Sequence, residues 1–188
     1  MIRKATINDA IAIEQLIRTY AEKGQMLFRS IEDISQNIAD FLVYEKEGMI
    51  LGVCALNNNW EKPTSPDEAF KSDFEYDSLV EVRSLAVHPD YFRQGIGTAL
   101  LHQCMEIATE SKKKKIFVLT YAISMFKKLG FEVVDKSTLP QKIWTDCRGC
   151  SKQDFCDETA MIRSLFPNPR SEKQSSGHGA EVCAHTGD

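Results

Sequence analysis

The sequence predicts a mixed α/β domain: a twisted, mostly antiparallel sheet with helices on both faces. Three observations lead there. Residues 79–87 (LVEVRSLAV) are a dense strand signal that runs through a glycine turn into a long amphipathic helix. FLVYEK and MILGVCAL flank Glu47-Gly48, the mark of an antiparallel hairpin. The remaining apolar periods alternate between helix and strand, giving the order β-α-α-β-β-β-α-β-α-β-β. Adjacent hairpins mixed with crossover helices require a mixed sheet covered on both sides.

Taken in order, residues 2–6 are short and extended, and Asn8-Asp9 is a helix-capping pair. Ile13, Leu16, Ile17 and Tyr20 recur at helical spacing until Gly24. Ser30 can cap a second helix carrying Ile31, Ile34 and Ile38. After the hairpin, residues 57–77 are polar and turn-rich, as in a long surface loop. The helix after the glycine turn places Ile96, Leu100, Leu101, Cys104, Ile107 and Ala108 on one face. IFVLT is a strand, a short helix ends at Leu129-Gly130, FEVV is a strand, and ETAMI returns as the last one. Residues 135–156 form an irregular excursion inside a domain expected to span 1–166. The segment 167–188, rich in Ser, Gly, Pro and charge, is expected to be a disordered tail.

The chain has 188 residues, enough to bury a real core in one domain. A formal net charge of −4 excludes a general nucleic-acid coat. The N-terminus MIRKATINDA has no apolar leader, and no apolar run approaches a membrane span. The expected setting is therefore the cytoplasm, with small-molecule partners and a homodimer as a candidate assembly.

Arg93-Gln94-Gly95-Ile96-Gly97-Thr98 sits between the strongest strand and the strongest helix. A helix start offers unpaired N–H groups and a positive dipole end, which suit a pyrophosphate. Glycine lets the backbone approach the anion. Leu100 stands where a dinucleotide fold needs its third glycine. The whole of EVRSLAVHPDYFRQGIGTALL resembles the acetyl-CoA-binding core of the GNAT N-acetyltransferases. That resemblance implies acetyl-CoA as co-substrate, with the amides of Arg93, Gln94, Gly95, Ile96, Gly97 and Thr98 on its pyrophosphate. Leu85, Ala86 and Val87 would pair with its pantetheine arm. One departure is Phe92, where the family usually carries Arg or Gln.

LIRTYAEKGQMLFRS, FVLT with a GF pair, and LPQKIWTDC resemble the acetyltransferase domain of N-acetylglutamate synthases, above all the short stand-alone form. This implies transfer of acetyl to the α-amine of an amino acid, glutamate first, the entry step of arginine biosynthesis. A substrate with two carboxylates needs fixed cations. Arg29, with Ser30 beside it, and Lys142 match substrate-binding positions, and Arg83 points the same way as Glu81 on its strand. Glu81 is the candidate base, facing away from Val80 and Val82. The Val87 amide is the candidate donor to the thioester oxygen. The family's usual tyrosine acid is Phe126 here, and Tyr121 and Ser124 are its candidate substitutes. Two alternatives stand beside this reading: another amine as acceptor, or a non-catalytic coenzyme A sensor.

Cys147, Cys150 and Cys156 have spacing that suits a structural zinc, with a fourth donor nearby or in the tail. The plainer reading is three reduced thiols in a loop, and an iron–sulfur or redox role is the further alternative. Cys54 and Cys104 lie on apolar faces and read as core residues.

Overall fold

A computed structural model describes residues 1–57, 78–139, 152 and 155–166. Its elements are β1 (Ile2–Lys4), α1 (Ala10–Ala21), α2 (Ile31–Gln36), β2 (Phe41–Lys46), β3 (Met49–Asn57) and β4 (Leu79–Val87). These are followed by α3 (Ile96–Glu110), β5 (Lys115–Thr120), α4 (Ile123–Lys128), β6 (Glu132–Val133) and β7 (Thr159–Ser164). The predicted element order is the observed one.

Helix α1 is entered through a short 3-10 turn; Asp9 is its N-cap, as expected, but the Asp9 carboxylate turns back to the start of that turn. Thr6 is extended at the turn's N-cap, and Asp9 accepts from the Thr6 amide at 2.7 Å. Asp9 also takes a two-pronged hydrogen bond from Arg3, at 2.7 and 2.9 Å, which ties the helix start to β1. The hairpin between β2 and β3 turns on Glu47 and Gly48, both left-handed (φ 53° and 78°). Two left-handed residues give the turn whose twist matches paired strands.

Among the described residues, the strands form one sheet in the order β1-β2-β3-β4-β5-β7-β6. Only β4–β5 is parallel among its neighbouring pairs. The last strand, β7, inserts between β5 and β6, a placement that the chain order does not reveal. On one face Ile13, Leu16, Ile17 and Ile34 of α1 and α2 pack on Val43, Val53, Ala55 and Ala86. On the other, Leu100, Leu101 and Cys104 of α3 and Phe126 of α4 pack on Leu51, Cys54, Val80, Val82 and Ile116. Each such buried aliphatic side chain contributes about 1.5–3 kcal/mol. Cys54 and Cys104 meet in this second layer, sulfurs 3.4 Å apart, as the core residues expected.

One irregularity positions the site. Between Val53 and Ala55 of β3 the partner strand advances from Ala86 to Arg83, so β4 carries one extra residue. Ser84 absorbs it with φ 51°. The bulge reverses the alternation: Val80 and Val82 face α3 below it, while Leu85 and Val87 do so above it. Ala86 thereby joins the α1 layer. Pairing with β5 also stops at Val82–Val118, so the strands part beyond that point.

Candidate active site

The parting of β4 and β5 leaves one side of Arg83–Val87 without its parallel neighbour. The His88 amide donates to the Leu51 carbonyl at 2.8 Å, so by strand alternation the Val87 amide and carbonyl face away from β3, toward the gap. Among the described residues, no strand pairs with this side of Leu85, Ala86 and Val87, the edge on which the pantetheine expectation falls. The Val87 carbonyl accepts a hydrogen bond from the Tyr20 hydroxyl of α1. Burial holds the Tyr20 phenol above its ordinary pKa, so it is a protonated donor at neutral pH. Sequence periodicity had placed Tyr20 only on a buried helix face, and nothing in the local pattern marked its hydroxyl.

Beyond Val87 the chain turns through Arg93 and Gly95, both left-handed (φ 61° and 81°), into α3. The first regular bond of α3 runs from the Ala99 amide to the Gly95 carbonyl at 2.9 Å. The amides of Ile96, Gly97 and Thr98 precede it and lie at the positive end of the helix. Gly52 brings this end close to the sheet: a Cβ there would stand 2.6 Å from Ile96 Cγ2. Phe92 is exposed and rests edge-on against Tyr20, ring centroids 6.3 Å apart.

Glu81 lies before the bulge on the face opposite Val80 and Val82, as expected. It sits across from Asn57 on β3 and Phe117 on β5 and is 7% exposed. Burial pushes its carboxyl up to about 7, against the pull of Arg83, Arg29 and a hydrogen bond with Asn57. Glu158 adds to the rise. Arg83 holds its Nε 3.6 Å from Glu81 Oε2. Burial lowers the Arg83 pKa first and the nearby Arg29 cation lowers it further, while Glu81, Asp40 and Asp33 oppose this. Arg29, with a side chain 14% exposed, donates to Asp33 Oδ2 at 3.1 Å. Arg83 and a buried carboxylate therefore stand together where β4 parts from β5, and the Arg29 charge acts on both.

The other predicted residues fall differently. Ser30 Oγ accepts from the Asp33 amide at 3.1 Å, so its hydroxyl caps α2 and fixes the segment carrying Arg29. Tyr121 is exposed; its hydroxyl donates to Asp157 and accepts from Lys152 Nζ at 3.0 Å. Ser124 is exposed on α4. Phe126 is 1% exposed and stacks edge-on to Phe131 at 5.1 Å, so this position serves packing. Lys142, Cys147 and Cys150 lie outside the described residues. Cys156 is a free, half-buried thiol with Sγ 3.9 Å from Glu158 Oε2. Among the described residues no group of three or more His, Cys, Asp or Glu side chains is arranged to hold a metal, so the zinc expectation gains no support. Among the same residues no helix is long and apolar enough to cross a membrane. Arg83 and Glu158 are the site members that sequence reading underweighted. The strand period had turned Arg83 the right way, but its closeness to Glu81 and Arg29 needed the fold.

A sheet split beside a bulged strand, with free helix amides beyond it, is the architecture of an acyltransferase that binds its donor along a strand edge. The family profile described as the acetyltransferase (GNAT) domain matches residues 37–133. The chain is 37% identical to an uncharacterized N-acetyltransferase of Chlorobaculum tepidum over 87% of its own length and 96% of that protein's. It therefore belongs to the GNAT acetyltransferase family. It is also 34% identical to the amino-acid acetyltransferase of Aliivibrio fischeri, over 75% of this chain but only 28% of that longer one. Among solved structures, the N-acetylglutamate synthase of Neisseria gonorrhoeae, complexed with coenzyme A and N-acetyl-glutamate, superposes with a TM-score of 0.72. The identity there is 26%, and the match covers 89% of this chain and 35% of that one.

Proposed function

We propose that this protein transfers acetyl from acetyl-CoA to the α-amine of an amino acid, with glutamate as the first acceptor to test. The observation that carries the reading is the position of Glu81: buried, poised near neutral pH and flanked by Arg83 beside the gap in the sheet. Arg29 contributes a second cation that acts on both. The similarity to amino-acid acetyltransferases and to a synthase holding its acetylated product supports the same acceptor class.

In this reading the amides of Arg93–Thr98 hold the pyrophosphate, and the open edge of Leu85–Val87 aligns the pantetheine arm. Glu81 accepts a proton from the acceptor's ammonium, directly or through a water. The neutral amine attacks the thioester carbon, the Val87 amide steadies the charge on the carbonyl oxygen, and the C–S bond breaks. The attacking nitrogen then gives up its second proton to solvent, the departing thiolate takes one up, and the amide product and the free coenzyme A thiol remain. The transfer proceeds by direct attack within a ternary complex, without an acyl-enzyme.

The test is thiol release from acetyl-CoA against a panel of amino acids. Turnover with glutamate above the other acceptors, falling at least 100-fold in Glu81→Gln, is expected. A different preferred amino acid would remove the glutamate assignment alone. Coenzyme A binding without turnover on any amine would replace the enzyme reading with that of a sensor.

A further inference from the structure

Resting on the amino-acid acetyltransferase reading, we propose that Arg83 receives the acceptor's α-carboxylate. With Glu81 it forms a two-charge clamp for an α-amino-acid zwitterion, and Arg29 is left to read the acceptor's side chain.

Glu81 and Arg83 stand two residues apart on β4, so both project from one face. Their charged ends approach to 3.6 Å. An α-amino acid carries its ammonium and carboxylate on a single carbon, so its opposite charges are equally close. Laid across the pair in reverse polarity, the ammonium meets Glu81 and the carboxylate meets Arg83. This delivers the amine to the base that must deprotonate it.

A side-chain carboxylate lies farther from the amine, so in this arrangement it falls to a second cation. Arg29 approaches from a different element, the segment before α2, where Asp33 braces it at 3.1 Å. The two arginines oppose each other's charge, and a bound anion would relieve that opposition. Asp33 of α2, Asp40 before β2, Asn57 of β3 and Glu158 before β7 complete the charged and polar surroundings of the pair. Arg83 is thus a specificity-determining residue for the amino-acid class as a whole, and Arg29 for the member of that class.

The experiment measures kcat and KM for glutamate, glutamine and 4-aminobutyrate. Glutamine keeps the α-carboxylate and loses the side-chain charge; 4-aminobutyrate does the reverse. In the wild type, 4-aminobutyrate should fall at least 100-fold below glutamate in kcat/KM. Arg83→Gln should raise KM for glutamate and glutamine by the same factor, about 10- to 100-fold, the loss of a charge-assisted contact. KM for acetyl-CoA should hold. Arg29→Gln should instead lower the glutamate-to-glutamine ratio. Arg83→Lys, which keeps the charge but loses the fork, should fall between wild type and Arg83→Gln and serves if the latter does not fold.

The proposal is overturned if Arg83→Gln changes the glutamate-to-glutamine ratio, if it lowers kcat with KM intact, or if wild type accepts 4-aminobutyrate as readily as glutamate. A wild type that acetylates no amino acid sinks the underlying function, and this proposal with it; that result appears before any variant is made.

Discussion

Glu81 is a carboxylic acid in a place that favours its neutral form, and two measurable consequences follow in opposite senses. Only the carboxylate can take a proton from an ammonium, so kcat/KM should climb with pH and level off above about 7. Stability should move the other way. The folded state holds the Glu81 proton up to about 7, whereas the ordinary glutamate value is 4.5. Between those values the native state binds more protons, so its advantage is complete below the ordinary value and lost as pH rises through the folded one. The span corresponds to something on the order of 3 kcal/mol. Melting temperature measured from pH 4.5 to 8 should therefore show a downward component that flattens in Glu81→Gln. A variant with the same slope as wild type would place the perturbed group elsewhere. The facing of Glu81 was legible in the sequence because a glutamate interrupts an apolar strand between two valines. The role of Tyr20 was not, because a tyrosine on a helix's apolar face looks the same whether or not its hydroxyl finds a distant carbonyl.

At the scale of elements, the joint between β3 and α3 sets the position of the helix start proposed to hold the phosphates. Gly52 sits in the middle of β3, where a strand ordinarily prefers a side chain. The reason is contact: an added Cβ would come within 2.6 Å of Ile96 Cγ2 and 3.0 Å of Leu100 Cδ1. Ile96 is branched and 4% exposed, so it has little room to yield, and α3 must shift instead. Gly52→Ala should destabilise by about 1–3 kcal/mol in urea unfolding. It should also raise KM for acetyl-CoA several-fold more than KM for the acceptor, because the helix start moves while Arg29 and Glu81 do not. Equal effects on both KM values would mean that the helix start does not hold the coenzyme. The same scale explains what the sequence concealed. The turn at Glu47-Gly48 was readable because glycine accompanies left-handed backbone there. The bulge on β4 had no such local mark, since its left-handed residue is a serine; the family resemblance implies a bulged strand, and the register against β3 locates it.

At the scale of the whole molecule, the sheet is two pieces joined over a short parallel overlap. β1 to β4 form one antiparallel run, and β5, β7 and β6 form another. Among the described residues, their strands pair where Leu79–Val82 lines up with Lys115–Val118. The element order was readable from periodicity, but the insertion of β7 between β5 and β6 depends on long-range pairing that no local pattern encodes. Above the overlap, the edge of β4 has backbone groups facing the gap, and a ligand that pairs with them bridges the halves as a strand would. Acetyl-CoA at 100 times its dissociation constant should thus stabilise the protein by about 2.7 kcal/mol, a rise of roughly 5–10 °C in melting temperature. The gain should also have an address. Hydrogen exchange should slow most at Arg83–Val87 and at Arg93–Thr98, and less in β1 and β2, on the far side of the sheet. Desulfo-coenzyme A should give the same pattern, since pyrophosphate and pantetheine make these contacts without the thioester. A melting shift accompanied by even protection across all strands would refute strand-edge binding, because a ligand seated elsewhere would stabilise the fold globally without singling out the edge that β5 leaves exposed.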